Sequence, residues 1–139
     1  LLLYLRHKNI AEVTRGTTMI THVKLVSIAV TDQDKALVFY TEKLGFKLIV
    51  DEAYDKTSRW IELQPPGGQT RVVLIKARPG DPRVGSLTNI VFTSDDIEKT
   101  YFDLKVKGVH FKEPPNRQPW GLFTQFADPD GNVFVLSSQ

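Results

Sequence analysis

The spacing of apolar and polar positions along this chain switches between two periods and predicts the same small unit twice. Over residues 22–30, Val26, Ile28 and Val30 alternate with Leu25, Ser27 and Ala29, the period of two of a strand packed on both faces, with the larger residues on one of them. Thr31, Asp32, Gln33 and Asp34 then supply side-chain oxygens that can cap a helix. Ala36, Leu37, Phe39, Tyr40 and Leu44 follow at helical spacing, and the stripe stops at Gly45. Three strands come next, over 46–54, 58–64 and 71–76, with Pro65-Pro66-Gly67-Gly68 as the turn between the last two. The first half of the pattern is βαβββ.

Residues 77–86 contain Pro79, Gly80, Pro82 and Gly85, a density of breakers that sustains neither a helix nor a central strand, so a boundary between halves belongs there. The pattern then returns: a strand over 87–92, a cap in Thr93-Ser94-Asp95-Asp96, and a helix over 97–107 stopped by Gly108. Laying Thr31 on Thr93 also lays Asp34 on Asp96, Phe39 on Tyr101 and Tyr40 on Phe102, which is an internal repeat. Strands over 109–112, 121–127 and 132–137 complete a second βαβββ, with Asp128-Pro129-Asp130-Gly131 as the last hairpin turn.

The predicted fold is α+β. Two βαβββ modules, residues 20–76 and 87–138, form a cupped, mostly antiparallel mixed sheet with the helices outside, within one domain over 19–139. Each helix covers one sheet face and leaves the other to be packed or bent around a cavity, so a cleft at the module junction is the expected ligand site. Residues 1–18 are expected to be an N-terminal extension to that domain.

Composition narrows the function classes. At 139 residues, 41% hydrophobic and 24% charged, the chain has the balance of a soluble globular domain. The 18 Lys and Arg are dispersed and the formal charge is only +2, which argues against nucleic acid as a partner. With no cysteine, disulfides, thiolate metal sites and cysteine nucleophiles are excluded, in keeping with a cytoplasmic location. The apolar opening Leu1-Leu2-Leu3-Tyr4-Leu5 is broken at once by Arg6, His7 and Lys8, so it predicts neither a signal peptide nor a membrane span. Gly67-Gly68 precedes no phosphate-binding helix, and no nucleophile elbow occurs.

Val30-Thr31-Asp32 with Ala36, Phe39-Tyr40 and Leu44-Gly45-Phe46 resembles the opening signature of vicinal oxygen chelate domains, and Phe126-Ala127-Asp128-Pro129-Asp130-Gly131-Asn132 resembles the closing one. Trp60-Ile61-Glu62-Leu63 and Asn89-Ile90-Val91-Phe92 are similar to the two middle strands, so residues 20–138 as a whole resemble the glyoxalase, bleomycin-resistance and dioxygenase superfamily. In its metal-dependent members that resemblance implies four ligand positions, which fall here on Leu25, Glu62, Asn89 and Val135. A divalent transition ion needs about three or four donors at about 2 Å, and leucine and valine offer none. His7, His22 and His110 lie elsewhere in the pattern, so neither a metal nor another cofactor is expected. The resemblance further implies a homodimer. The leading expectation is a protein that binds a small-molecule ligand in a metal-free cavity. A lyase or isomerase with Glu62 as general base is the alternative, and a metal-dependent glyoxalase or dioxygenase the further one.

Strand alternation supplies the expected lining. If Leu25 faces the cavity, Ser27 and Ala29 do too; Trp60 and Gln64 accompany Glu62, and Val91 and Thr93 accompany Asn89. If Asp128 pairs with Asn132, Gln125 lies opposite Val135 and points the same way. Glu62 is the candidate catalytic residue: lost hydration on an apolar face is expected to raise its pKa and ready it as a base, whereas a leftover of a metal site would simply be hydrogen-bonded. Trp60, Asn89, Gln125 and Trp120 are the candidate ligand-binding residues. Trp60 would stack on a planar group, and Trp120 would stand in a rim or lid stiffened by Pro114, Pro115 and Pro119. Arg59, Arg71 and Arg117 could each neutralise an anionic ligand, though a solvated surface charge is the plainer expectation for each alone.

Overall fold

A computed structural model describes residues 18–139, so the expected extension over 1–18 lies, apart from Thr18, outside the described residues. The first module opens with β1 (Leu25–Val30), and Asp32 then caps α1 (Gln33–Val38) by accepting the Lys35 N–H at 3.0 Å. The helix runs straight into a wider turn over Phe39–Lys43, where the Leu44 N–H reaches back to the Phe39 carbonyl at 3.1 Å. An even helical stripe did not foretell that widening, which carries the buried Phe39 and Tyr40. Gly45, at φ +77°, takes the left-handed conformation that ends the turn.

β2 (Lys47–Ala53), β3 (Arg59–Gln64) and β4 (Arg71–Lys76) complete a four-stranded sheet of order β1-β4-β3-β2, in which β1 and β4 are parallel and the other pairs antiparallel. The second module repeats this plan. β5 (Leu87–Ser94) leads to α2 (Ile97–Val106), capped by Asp96, and then to β6 (His110–Phe111), β8 (Gly121–Ala127) and β9 (Val133–Ser138) in the order β5-β9-β8-β6. Again only the first and last strands are parallel. The fold is α+β, as the repeat implied. An additional short strand, β7 (Asn116–Gln118), pairs with Gly121–Phe123 of β8 inside the stretch expected to be loop. Its prolines flank the paired residues instead of interrupting them, and the strand lies off the main path of the sheet, where flanking prolines are tolerated.

One core joins the modules. Ile28 and Val30 of β1, Ile61 and Leu63 of β3, and Val72 and Leu74 of β4 belong to the same buried cluster as Phe126 of β8 and Phe134 and Leu136 of β9. Aromatic contacts cross the junction: Phe46 meets Phe92 at 5.6 Å between ring centroids, and Tyr40 meets Phe134 at 6.2 Å. A polar knot lies beside them. The Tyr40 hydroxyl donates to Asp128 Oδ2 at 2.7 Å, while the Asn132 amide donates to that same oxygen and to the Ala29 carbonyl, each at 2.9 Å. Among the described residues the junction where a cleft was expected is packed, because both sheets spend their helix-side faces on this shared core.

Because side chains alternate along a strand, the opposite face of each sheet points away from that core. We call these the open faces. The first carries Leu25, Ser27 and Ala29, Trp60, Glu62 and Gln64, and Arg71, Val73 and Ile75, of which Ala29, Glu62 and Val73 are buried. The second presents Leu87, Asn89, Val91 and Thr93, Phe123, Gln125 and Ala127, and Val133, Val135 and Ser137.

Candidate functional site

Four of the five sequence-derived site residues fall on these open faces, two on each, and Trp120 lies in the turn between β7 and β8. Ile61 and Leu63 turn into the core, so Trp60 and Glu62 point the other way, as alternation required. On the second sheet Gln125 does pair with Val135, and Asp128 donates its N–H to the Asn132 carbonyl at 3.0 Å, which fixes the expected register. Among the described residues no hydrogen bond joins the Trp60–Glu62 group to Asn89 or Gln125, since one chain holds them on separate sheets.

Glu62 is 9% exposed and both its oxygens are engaged. Oε1 accepts the Trp60 indole N–H at 2.9 Å, and Oε2 accepts an Arg71 guanidinium N–H at 2.6 Å. These two donors hold the carboxyl below the usual glutamate range, and they outweigh the opposing effect of burial. The expected rise in its pKa is thus corrected to a fall. Trp60 has committed its polar handle and keeps only its ring for a ligand. Arg71, expected to be a solvated charge, is instead paired, and so is Arg59, which holds Asp34 at 2.6 Å and Asp51 at 2.9 Å.

Asn89 sits where β5 slips against β9: the register passes from Leu87 opposite Val133 to Val91 opposite Val135. At φ 61° Asn89 takes a left-handed conformation uncommon for any residue but glycine, although asparagine bears it better than most. The Thr88 hydroxyl helps hold the bulge by donating to the Val133 carbonyl at 2.8 Å. Nearby, a hollow of about 180 Å³ is lined by His110, Lys112, Gln125, Phe126, Ala127 and Val133. Gln125 therefore does line a depression; His110, set aside in the sequence as a metal donor, lines it too, being paired with Ala127. Trp120 is 63% exposed in the turn between β7 and β8, its ring 5.3 Å from that of Phe123, which places it at the margin of the second open face. A second hollow, of about 280 Å³ beside the start of α1, is polar and lined by Asp32, Asp34, Arg59 and Lys76 among others. Its charges are already occupied, Arg59 as above and Lys76 by donating to the Thr57 carbonyl at 2.9 Å.

Residues 19–136 match the Glyoxalase/Bleomycin resistance protein/Dioxygenase superfamily. The chain belongs to that superfamily. Among its relatives is YetH of Bacillus subtilis (strain 168), an uncharacterized protein 40% identical over 118 residues, covering 85% of this chain and 98% of YetH. A superfamily member from Sphaerobacter thermophilus DSM 20745 has a crystal structure that superposes with a TM-score of 0.80 at 40% identity, over 88% of this chain and all of that one. TnmS3, an antibiotic binding protein from Streptomyces sp. CB03234, superposes with a TM-score of 0.77 at 38% identity, over 87% of this chain and 98% of its own.

The ion bound by metal-dependent superfamily members does not fit this donor set. Leu25 and Val135 carry no donor atom, Asn89 offers a neutral amide, and both Glu62 oxygens already accept hydrogen bonds. Among the described residues no three His, Cys, Asp or Glu side chains gather closely enough to hold a metal. No helix among them is long and apolar enough to cross a membrane.

Proposed function

We propose that this superfamily member binds a small molecule in a cavity lined by Trp60, Glu62, Asn89 and Gln125, and that a second copy of the chain completes that cavity. The observation that carries this reading is the pair of open faces. Leu87 and Val91 are 52% and 60% exposed on a strand whose other side is core, and two of the four lining residues lie on each sheet. A two-fold axis would set the first open face of one copy against the second open face of the other, twice over. Aliphatic side chains would lose their water and Trp60 would face Gln125 across the cup. The likeness to an antibiotic binding protein supports a ligand of drug size over a structural role. A chain without cysteine suits the cytoplasm, the compartment to which we assign it.

The lyase or isomerase reading rests on Glu62 as a base. Trp60 and Arg71 both lower its basicity, so binding is preferred to turnover. Sedimentation velocity, together with thermal unfolding in a panel of antibiotics and metabolites that includes bleomycin, tests the proposal. A dimer is expected, and at least one compound should raise the midpoint by several degrees, since a ligand at one hundred times its Kd adds about 2.7 kcal/mol. Val91→Lys should lower both the sedimentation coefficient and the ligand response. A monomer with no response to any compound overturns the reading.

A further inference from the structure

Arg71 stands between the first two superfamily ligand positions, Leu25 and Glu62, and is paired with the second. β4 lies between β1 and β3, so Arg71 stands between the strands that carry Leu25 and Glu62. Leu25 is directly opposite Arg71 in the parallel β1–β4 register, and Glu62 is opposite Val73, one open-face position farther along β4. From there the guanidinium reaches diagonally to Glu62, with Nη1 2.6 Å from Oε2. Where metal-dependent relatives place an ion against this carboxylate, the present chain places a guanidinium cation.

Charge and hydrogen bonding then point the same way. Glu62 has one donor on each oxygen, and Lys24 adds a second positive charge nearby, so two cations attend one carboxylate. Arg71 spends one of its N–H groups on Glu62; among the described residues none of the others has a protein partner, and its side chain is 35% exposed. Donors with local positive charge are thus left on the face that also carries Trp60, whose indole N–H meets the other oxygen of the same carboxylate.

We propose that Arg71 is the specificity-determining residue of this face and that the ligand is a planar conjugated oxyanion, a carboxylate or an acidic phenol, whose oxygens take the guanidinium N–H groups while its ring lies against Trp60. The inference rests on the small-molecule reading above. A guanidinium matches two neighbouring oxygens with two parallel hydrogen bonds. Glu62 is then a positioning residue that orients the guanidinium.

The full chain, labelled with ¹⁵N, is titrated with 4-nitrobenzoate and with its neutral isostere 4-nitrobenzamide, following the side-chain N–H signals of Arg71 and Trp60. The carboxylate is expected to bind about tenfold or more tightly than the amide and to shift the Arg71 Nε–H signal. Arg71→Met should erase the preference, Arg71→Lys should keep part of it, and Glu62→Gln, whose amide oxygen still accepts from and orients the guanidinium while the competing negative charge is gone, should strengthen carboxylate binding. Thermal melts establish that each variant is folded; if Arg71→Met is not, the wild-type comparison and Arg71→Lys still decide. Equal affinity for the two probes, a preference that survives in Arg71→Met, or no shift with either probe overturns the assignment. The compound panel above decides the small-molecule reading separately, because it makes no demand on ligand charge.

Discussion

Asp128→Asn tests the polar knot at the module junction with a change of one atom. Asp128 is 6% exposed and accepts four hydrogen bonds. Oδ1 takes the N–H groups of Asp130 and Asn132, each at 2.9 Å; Oδ2 takes the Tyr40 hydroxyl at 2.7 Å and the Asn132 amide at 2.9 Å. An asparagine oxygen can keep the two backbone partners, but its NH₂ group then replaces Oδ2. The Tyr40 hydroxyl can rotate to accept from it. The Asn132 amide cannot, because one of its hydrogens is held by the Ala29 carbonyl and the other now faces a donor. A charged acceptor bond is worth about 1.5–3 kcal/mol, and a stranded buried donor costs about 1–3 kcal/mol. Relief from burying a carboxylate offsets part of this, for a net loss of about 3 kcal/mol, a large fraction of the total stability of such a domain. Urea unfolding at neutral pH measures it. The pH dependence supplies an independent sign: burial raises the Asp128 pKa, so its contribution to stability is complete below the ordinary carboxylate value of about 4 and is lost as pH rises through the elevated one. The cost of Asp128→Asn should accordingly be greater in acid than at neutrality. A cost below about 0.5 kcal/mol, or one that grows as pH rises, would refute the argument.

Glu62 predicts the opposite pH sign. Its lowered pKa means a contribution present above the ordinary value of about 4.3 and lost as pH falls through the lowered one, so the gap in thermal midpoint between wild type and Glu62→Gln should narrow in acid. A gap independent of pH would dissolve the supposed link between Glu62, Trp60 and Arg71. At Asn89, where φ is 61°, glycine should hold stability within about 0.5 kcal/mol, whereas valine, whose branched Cβ disfavours that conformation, should cost about 2 kcal/mol in thermal unfolding. Equal tolerance of the two would place Asn89 in ordinary extended backbone.

Elements that follow one period without interruption were legible from sequence. β4 and β8 occupy the residues the alternation marked, and α2 ends one residue earlier than expected. What escaped was set by partners outside the window. The wide turn at Phe39–Lys43 belongs with the burial of Phe39 and Tyr40 against neighbouring aromatic rings, and β7 exists because β8 offers it an edge. The closing Asp128–Asn132 segment was legible as a turn through the Oδ1 bonds to Asp130 and Asn132, but its link to Tyr40 spans 88 positions of sequence. Glu62 and Arg71 are nine residues apart across a hairpin whose register the Pro65-Pro66-Gly67-Gly68 turn did not reveal. Alternation could put both on one face without telling that they touch.

The missing donors and the bound arginine are linked by one electrostatic requirement. A carboxylate on the same sheet face as Leu25 and Val73, without a cation, would lose hydration and recover little, so its pKa would rise and it would tend toward the neutral acid. An ion supplies the compensating charge where His or Glu side chains surround it; here Leu25 and Val135 cannot, and Arg71 with the Trp60 indole takes over that part at 2.6 and 2.9 Å. The two solutions differ in what they leave for a ligand. A metal leaves open coordination positions and Lewis acidity, whereas a guanidinium leaves hydrogen-bond donors and a fixed charge, sufficient to select an oxyanion but weak at polarising a carbon–oxygen bond. The same strand pairing that keeps Glu62 ionised therefore favours recognition over turnover on this face.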